Sequence, residues 1–318
     1  MAITTILRRF PTEQAAINWM EQQRWPEGPV CPSCGVLNEV CRLRTRPGRY
    51  TCLACRHQFS ITSGTALHRT RLPMRTWLLA MYLIATSSKG VSALKLAAWL
   101  GVGYRTAWHV GYRIRQMMAA SGAPAGLLRG VVELDETYVG GRPRRVHGER
   151  TLPAEERPRR RMGRSTAKPC VFVAVERAGR VVTQLVPIHS AGALGGAVRG
   201  TVAPDATLMT DELPAYVGVG REYAGHHRVR HSADEYARTC EATGLRVHVN
   251  TAESWNATLK RAIIGVFHRV SRKHLPRYAA ESAFRWNERL PALDRLAALL
   301  RADAAPLPYA ALVAPSAA

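Results

Sequence analysis

The sequence predicts an α/β protein in which a small metal-stabilised module and a helical region precede a larger domain of strands and helices. Three observations carry this. Two Cys-x-x-Cys pairs stand 17 residues apart, a helical stretch covers about 73–120, and from Gly130 onward short apolar runs alternate with turn signals. The 318 residues leave room for two or three compact units, and an apolar content of 47% can fill their cores. Disorder throughout the chain is excluded.

Charge narrows the partners. Lys and Arg number 45 against 23 Asp and Glu, a formal net charge of +22, which is expected of a chain that meets a polyanion, with nucleic acid foremost. The longest apolar run, Trp77–Ala85, is about half of the roughly 20 residues that a bilayer span requires. Met1–Phe10 lacks the apolar core of a signal peptide, so a cytoplasmic protein without membrane contact is expected. In a reducing compartment, four paired cysteines out of seven argue for metal over disulfides.

The first element is a zinc ribbon over 20–62. Cys31 and Cys34, then Cys52 and Cys55, form two knuckles whose spacing closes a tetrahedral four-thiolate Zn²⁺ site, and Arg49, Tyr50 and Phe59 suit a hairpin that folds around the metal. Cys41, Cys170 and Cys240 read as packing cysteines. The second element, over 70–122, is a helix-turn-helix. Ser92 leads into a helix through Leu100, Gly101–Gly103 turns the chain, and a second helix runs from Tyr104 to about Met118. Its apolar stripe is Ala107, Val110, Ile114 and Met117, which leaves Arg105, His109, Tyr112 and Gln116 for a DNA groove. A plain helical hairpin with a solvated basic face has the same periodicity.

A Gly/Pro hinge at 121–126 opens the third element, over 128–290. Gly130–Asp135 reads as a strand ending in a carboxylate. Arg142–Lys168, with ten basic residues against three Glu, reads as a mobile loop. Cys170–Glu176 and Arg180–Ile188 read as strands joined by a hairpin at Arg177–Gly179, and Leu208–Asp211 is another apolar approach to an acid. Leu245–Val249 alternates like a strand, helical spacing begins at Ala252, and a last helix covers about His274–Glu288. The tail, 291–318, is Ala/Pro-rich and reads as peripheral beyond Ala304.

Asp135, Asp211 and Glu253 therefore come from two strand ends and a helix start. Such a set can converge on two divalent ions, and Mg²⁺ suits carboxylate oxygens and phosphate chemistry. Each acid also has a plainer reading: Asp135 and Asp211 as turn formers, Glu253 as the partner of Asn250 in a capping box. Lys260 shares a helix side with Glu253 and Asn256, where it could meet a phosphate or simply solvent.

These residues resemble the DDE transposases of bacterial insertion sequences, in the ISXO-like subgroup with an N-terminal zinc ribbon. The resemblance runs from about Pro11 to Arg289. It rests on the paired cysteines, Ser63–Thr65, Lys89–Ser92, Thr106–Trp108, Glu133–Gly141, Thr210–Asp211, His248–Ser254, Leu259–Arg261 and Phe284–Asn287. It implies an RNase H-like core: a mixed five-stranded sheet with helices on both sides, the first acid on its first strand, the second after its fourth and the Glu on a late helix. It implies Asp135, Asp211 and Glu253 as ligands of Mg²⁺ or Mn²⁺, with Lys260 as an addition. The expected activity is binding of terminal inverted repeats, then metal-dependent cleavage and joining to target DNA by a homo-oligomer in the bacterial cytoplasm, at the nucleoid. The rival readings are an inactive, domesticated DNA-binding regulator and a nuclease that cuts without joining.

Overall fold

The computed structural model describes residues 2–122, 126–140, 153, 155–156, 168–186 and 190–314. The chain divides into two compact units, Met1–Ala123 with Ala280–Ala318, and Pro124–Ala279. Most of Arg142–Lys168, the centre of the hinge (123–125) and the end of the strand expected over Arg180–Ile188 lie outside the described residues.

The first unit opens with α1 (Ile3–Arg9) and α2 (Glu13–Arg24), the latter capped by the Thr12 hydroxyl, which accepts from the Ala15 amide. A three-stranded antiparallel ribbon follows, in the order β1 (Val40–Arg42), β2 (Arg49–Cys52), β3 (Gln58–Ser60). Its apolar centre consists of Cys31, Tyr50, Cys52 and Phe59, with Tyr50 stacked on Phe59 and Trp25 edge-on to both. So small a core cannot hold a ribbon without a staple. Cys41 is exposed on β1, which corrects its reading as a packing cysteine: β1 is an edge strand, and only Val40 packs inward.

Three helices complete this part: α3 (Met74–Thr86), α4 (Ala93–Leu100) and α5 (Tyr104–Ser121). α3 is apolar nearly all round and is buried accordingly. Ser92 caps α4 by accepting from the Lys95 amide, and Gly101 ends it at φ 64°, a conformation that costs glycine nothing. The stripe Ala107, Val110, Ile114 and Met117 of α5 is buried.

The second unit contains β4 (Val131–Tyr138), β5 (Cys170–Glu176), β6 (Val181–Val186), α6 (Ala191–Arg199), β7 (Thr207–Thr210), α7 (Ala215–Gly220) and β8 (Gly225–Arg228). A short ribbon, β9 (Arg238–Thr239) with β10 (Arg246–Val247), precedes α8 (Asn250–Ala262), and α9 (Leu275–Asn287) starts in this unit but belongs to the first from Ala280 onward. The sheet order is β6-β5-β4-β7-β8, antiparallel from β6 to β4 and parallel from β4 to β8. One face buries Val132, Leu134, Phe172 and Ala174 against Leu194, Ala197 and Val198 of α6. On the other face α8 packs over β4 and β5. A mixed five-stranded sheet covered on both sides is the RNase H-like core that the resemblance implies.

Beyond α9, still in the first unit, α10 (Ala292–Arg301) and α11 (Tyr309–Val313) follow. Leu296, Leu299, Leu300 and Ala304 join its main core, and Leu307 and Leu312 are buried as well. The tail is therefore not peripheral. A few leucines among many Ala and Pro supply its burial. Among the described residues no helix is long and apolar enough to cross a membrane.

Candidate functional site

The four cysteines of the ribbon converge. Their sulfurs all lie within 4.8 Å of one another, with Cys31 to Cys55 and Cys34 to Cys52 both at 3.6 Å. Four thiolates around Zn²⁺ at about 2.3 Å have a tetrahedral edge of about 3.8 Å, so the donors fit a structural zinc. The two knuckles share one turn: the Gly35 amide donates to the Cys31 carbonyl and the Arg56 amide to that of Cys52, with φ of 75° and 62° at Gly35 and Arg56.

The acids sit on the α8 side of the sheet. Asp135 is in the middle of β4, Asp211 directly follows β7, and Glu253 is in the first turn of α8. Strand alternation separates Asp135 from Glu136, and Glu136 faces the buried Tyr216 hydroxyl from the α6 side of the sheet. Asp135 Oδ1 accepts from the Glu136 amide at 2.8 Å, and its Oδ2 accepts from Asn256 Nδ2 of α8 at 2.8 Å. Burial pushes the Asp135 carboxyl up to about 6; those two hydrogen bonds oppose the rise, and the charges of Asp211 and Glu253 add to it. Asp211 Oδ1 is fixed by the Leu213 amide at 2.9 Å. Glu253 is about half exposed, with His231 Nε2 at 3.8 Å. Among the described residues only the cysteines form a group with every donor within 4.8 Å, so the three acids stand further apart than the thiols do.

On α8, Trp255, Leu259 and Ala262 are buried while Glu253 and Lys260 are exposed. Asn256 lies between them at i+3 and turns inward to Asp135. The plainer reading of Glu253, a capping box with Asn250, is not formed: Val249 holds the N-cap position, and no side chain caps from there.

The cap comes from Glu133, a residue that sequence reasoning left aside. Its fully buried carboxylate accepts from the Thr251 amide at 2.8 Å, the Ala252 amide at 3.1 Å and the Thr251 hydroxyl at 3.0 Å. Arg177 Nε donates to it at 2.8 Å, and His248 Nδ1 lies 3.2 Å away. Glu133 is two residues before Asp135 and so shares its face. It ties the start of α8 to β4 at the level that brings Asn256 to Asp135.

The residues assigned to a DNA groove separate. Arg105 is exposed near the start of α5, and Gln116 is partly covered. His109 Nε2 lies 2.9 Å from the Leu307 carbonyl oxygen, and Tyr309 packs edge-on to both Trp108 and His109. Tyr112 is 2% exposed, its ring 4.4 Å from that of Trp108. Tyr112 is thus not on an open face, and the returning C-terminal segment covers His109.

Residues 127–287 match the ISXO2-like transposase domain, and residues 11–58 match the transposase zinc-ribbon domain. Over 282 residues the chain is 30% identical to a protein in the transposable element ISH50 of Halobacterium salinarum, covering 86% of this chain and 90% of that one. With the mixed sheet and the four-thiol knuckle already in place, these matches settle the family: the chain belongs to the ISXO2-like transposases that carry an N-terminal zinc ribbon.

Proposed function

We propose that this chain is the transposase of its own insertion sequence: it binds the terminal inverted repeats and cleaves and joins DNA by phosphoryl transfer, using two Mg²⁺ or Mn²⁺ ions held by Asp135, Asp211 and Glu253. The observation that carries this is the placement of three acids from separate elements on the α8 side of the sheet, with Asn256 of α8 bonded to Asp135 and Asp211 held at the end of β7. Family membership agrees with it. The donor set suits hard cations, and each carboxylate oxygen already engaged by one hydrogen bond keeps a lone pair.

Bound there, the ions supply an activated attacking oxygen and a stabilised leaving oxygen. Asn256 orients Asp135 through Oδ2, and the Leu213 amide fixes Asp211. Lys260, one turn beyond Asn256, meets a phosphate oxygen of the strand. No covalent intermediate with the protein is needed, because water attacks in cleavage and the freed 3′-hydroxyl attacks in joining. Recognition belongs to the zinc ribbon and to α4–α5, read as a helix-turn-helix, and the protein works as a homo-oligomer on DNA in the cytoplasm.

The test incubates the full chain with Mg²⁺ and a duplex carrying the element ends, and separates cut from joined strands on denaturing gels. Asp135→Asn, Asp211→Asn and Glu253→Gln should each lower both reactions by about a hundredfold or more, the loss of several kcal/mol of charge stabilisation, while end binding survives. Glu136→Gln, on the opposite face of β4, should retain activity. Cleavage by Glu253→Gln at the wild-type rate would move the third ligand elsewhere, with Glu241 next in line. Cutting without joined product would favour a simple nuclease.

A further inference from the structure

A cleft of about 560 Å³ opens in the first unit between residues 69–72, the N-terminal half of α5 and Tyr309. Arg69, Arg71, Arg105, Arg113 and His109 line it, over an apolar floor that includes Leu72 and Val110. No acid lines it. Some arginines elsewhere are neutralised: Arg115, Arg129, Arg177 and Arg199 each meet a carboxylate within 3 Å. The four arginines of the cleft make no such pair among the described residues. Arg113 is the least solvated of them, with its Nε buried and without a hydrogen-bond partner.

Like charges gathered around one concavity repel, and a half-buried guanidinium with an unmet donor loses free energy until an acceptor arrives. A planar fork of N–H donors matches the oxygens of a phosphate. The apolar floor suits the sugar beside it better than a free anion.

We propose that this cleft seats a phosphodiester of the DNA backbone, held by Arg71 and Arg113 with Arg69 and Arg105 at the rim. This rests on the DNA-binding reading above and changes its detail. The first turns of α5 grip backbone and set the register, and the C-terminal segment contributes Tyr309 as a wall.

The experiment measures binding of the full chain by fluorescence anisotropy across a salt series. The probes are a duplex carrying the terminal repeat, a random duplex of equal length, and inorganic phosphate as competitor. The double variant R71Q/R113Q keeps the side-chain stems, R71K/R113K keeps the charges, and R8Q removes an exposed charge outside the cleft. Each phosphate contact contributes about 0.9 to the slope of log K against log salt. R71Q/R113Q should therefore lose about 1.8 in slope and about thirtyfold in affinity near 0.15 M salt on that counterion contribution alone, equally on both duplexes. The Lys pair should restore most of the slope, and R8Q should bind like wild type. Inorganic phosphate at millimolar levels should compete no better than its ionic strength explains; stronger competition would make the cleft a free-phosphate site. Wild-type affinity and slope in R71Q/R113Q would overturn the proposal while leaving DNA binding intact. A loss confined to the terminal repeat, with the slope unchanged, would overturn it in favour of base reading. Failure of the wild-type chain to bind either duplex would sink the DNA-binding reading itself.

Discussion

Replacing Glu133 should loosen α8 from the sheet. The carboxylate is fully buried and serves Arg177, two amides and the hydroxyl of Thr251. Removing one partner of a buried ion pair costs about 3–5 kcal/mol. The Arg177 side chain is 22% exposed and keeps its bonds to the Arg246 and His248 carbonyls, which puts its share at the low end. The lost cap adds about 1 kcal/mol. Glu133→Ala should therefore destabilise this region by about 4 kcal/mol. Glu133→Gln keeps an acceptor for the helix amides but turns an N–H₂ group toward Arg177, so about 2 kcal/mol is expected.

The chain has two units, and a single unfolding midpoint would blend them. Hydrogen exchange of peptides covering Asn250–Ala262 isolates the effect. Each 1.4 kcal/mol is a factor of ten, so protection should fall by several hundredfold or more in Glu133→Ala and by about thirtyfold in Glu133→Gln, up to the limit set by global stability. Exchange in α8 at the wild-type rate in Glu133→Ala would refute the claim that this carboxylate anchors the helix. If α8 also carries a metal ligand, Glu133→Gln should raise the Mg²⁺ concentration needed for half-maximal cleavage without weakening DNA binding.

Cys34→Ser should release zinc and unfold the ribbon, because the four-residue core around Tyr50 and Phe59 is too small to stand alone; metal analysis and the near-ultraviolet signal of the Trp25–Tyr50–Phe59 group would report it, with the second unit unchanged. Zinc retained at wild-type stoichiometry would contradict this. Glu281 is fully buried between Arg115 Nε at 2.6 Å and Arg285 Nη1 at 2.5 Å. Burial acts to raise its carboxyl, but the two guanidiniums hold it below the ordinary value of 4.5. Its contribution is therefore complete above about pH 4.5 and is lost as pH falls through the depressed folded value. Glu281→Gln should cost about 3–5 kcal/mol at pH 7, and its gap to wild type should narrow in acid. A gap that stays constant across denaturant midpoints from neutral to acid pH would contradict the triad.

What the sequence made legible was set by side-chain contrast. Gly130–Asp135 was readable as a strand because Val131, Val132 and Leu134 cluster ahead of the acid, yet β4 continues to Tyr138, where Glu136 and Thr137 offer no apolar signal. The helix expected over about His274–Glu288 lies within a residue at each end of Leu275–Asn287 because its periodicity is strong, but it is not the last: α10 and α11 follow it. By contrast β8 is Gly-His-His-Arg and α6 is Ala-Gly-Ala-Leu-Gly-Gly-Ala-Val-Arg. Both elements were missed, since their propensities oppose the structure and only the neighbouring sheet selects it. The zinc site needed no such help, because ligand spacing alone fixes which sulfurs can meet.

The candidate site divides along the same line. Asp135 and Asp211 were visible as acids ending apolar runs, and Glu253 as an acid opening a helix, all within a few residues of chain. The support beneath them joins positions 118 to 121 residues apart: Thr251 to Glu133, Ala252 to Glu133, Asn256 to Asp135. Two faint signals pointed to it. Parity along β4 places Glu133 on the face of Asp135, where a second acid is costly unless something neutralises it. At the other end, Val249 stands where a helix wants Ser, Thr, Asp or Asn, so the first amides of α8 need an acceptor from elsewhere. Asn250 concealed this by offering a local cap one residue too late. An acid without a local partner on a strand and a helix without a local cap are each unremarkable alone, and together they specify one contact.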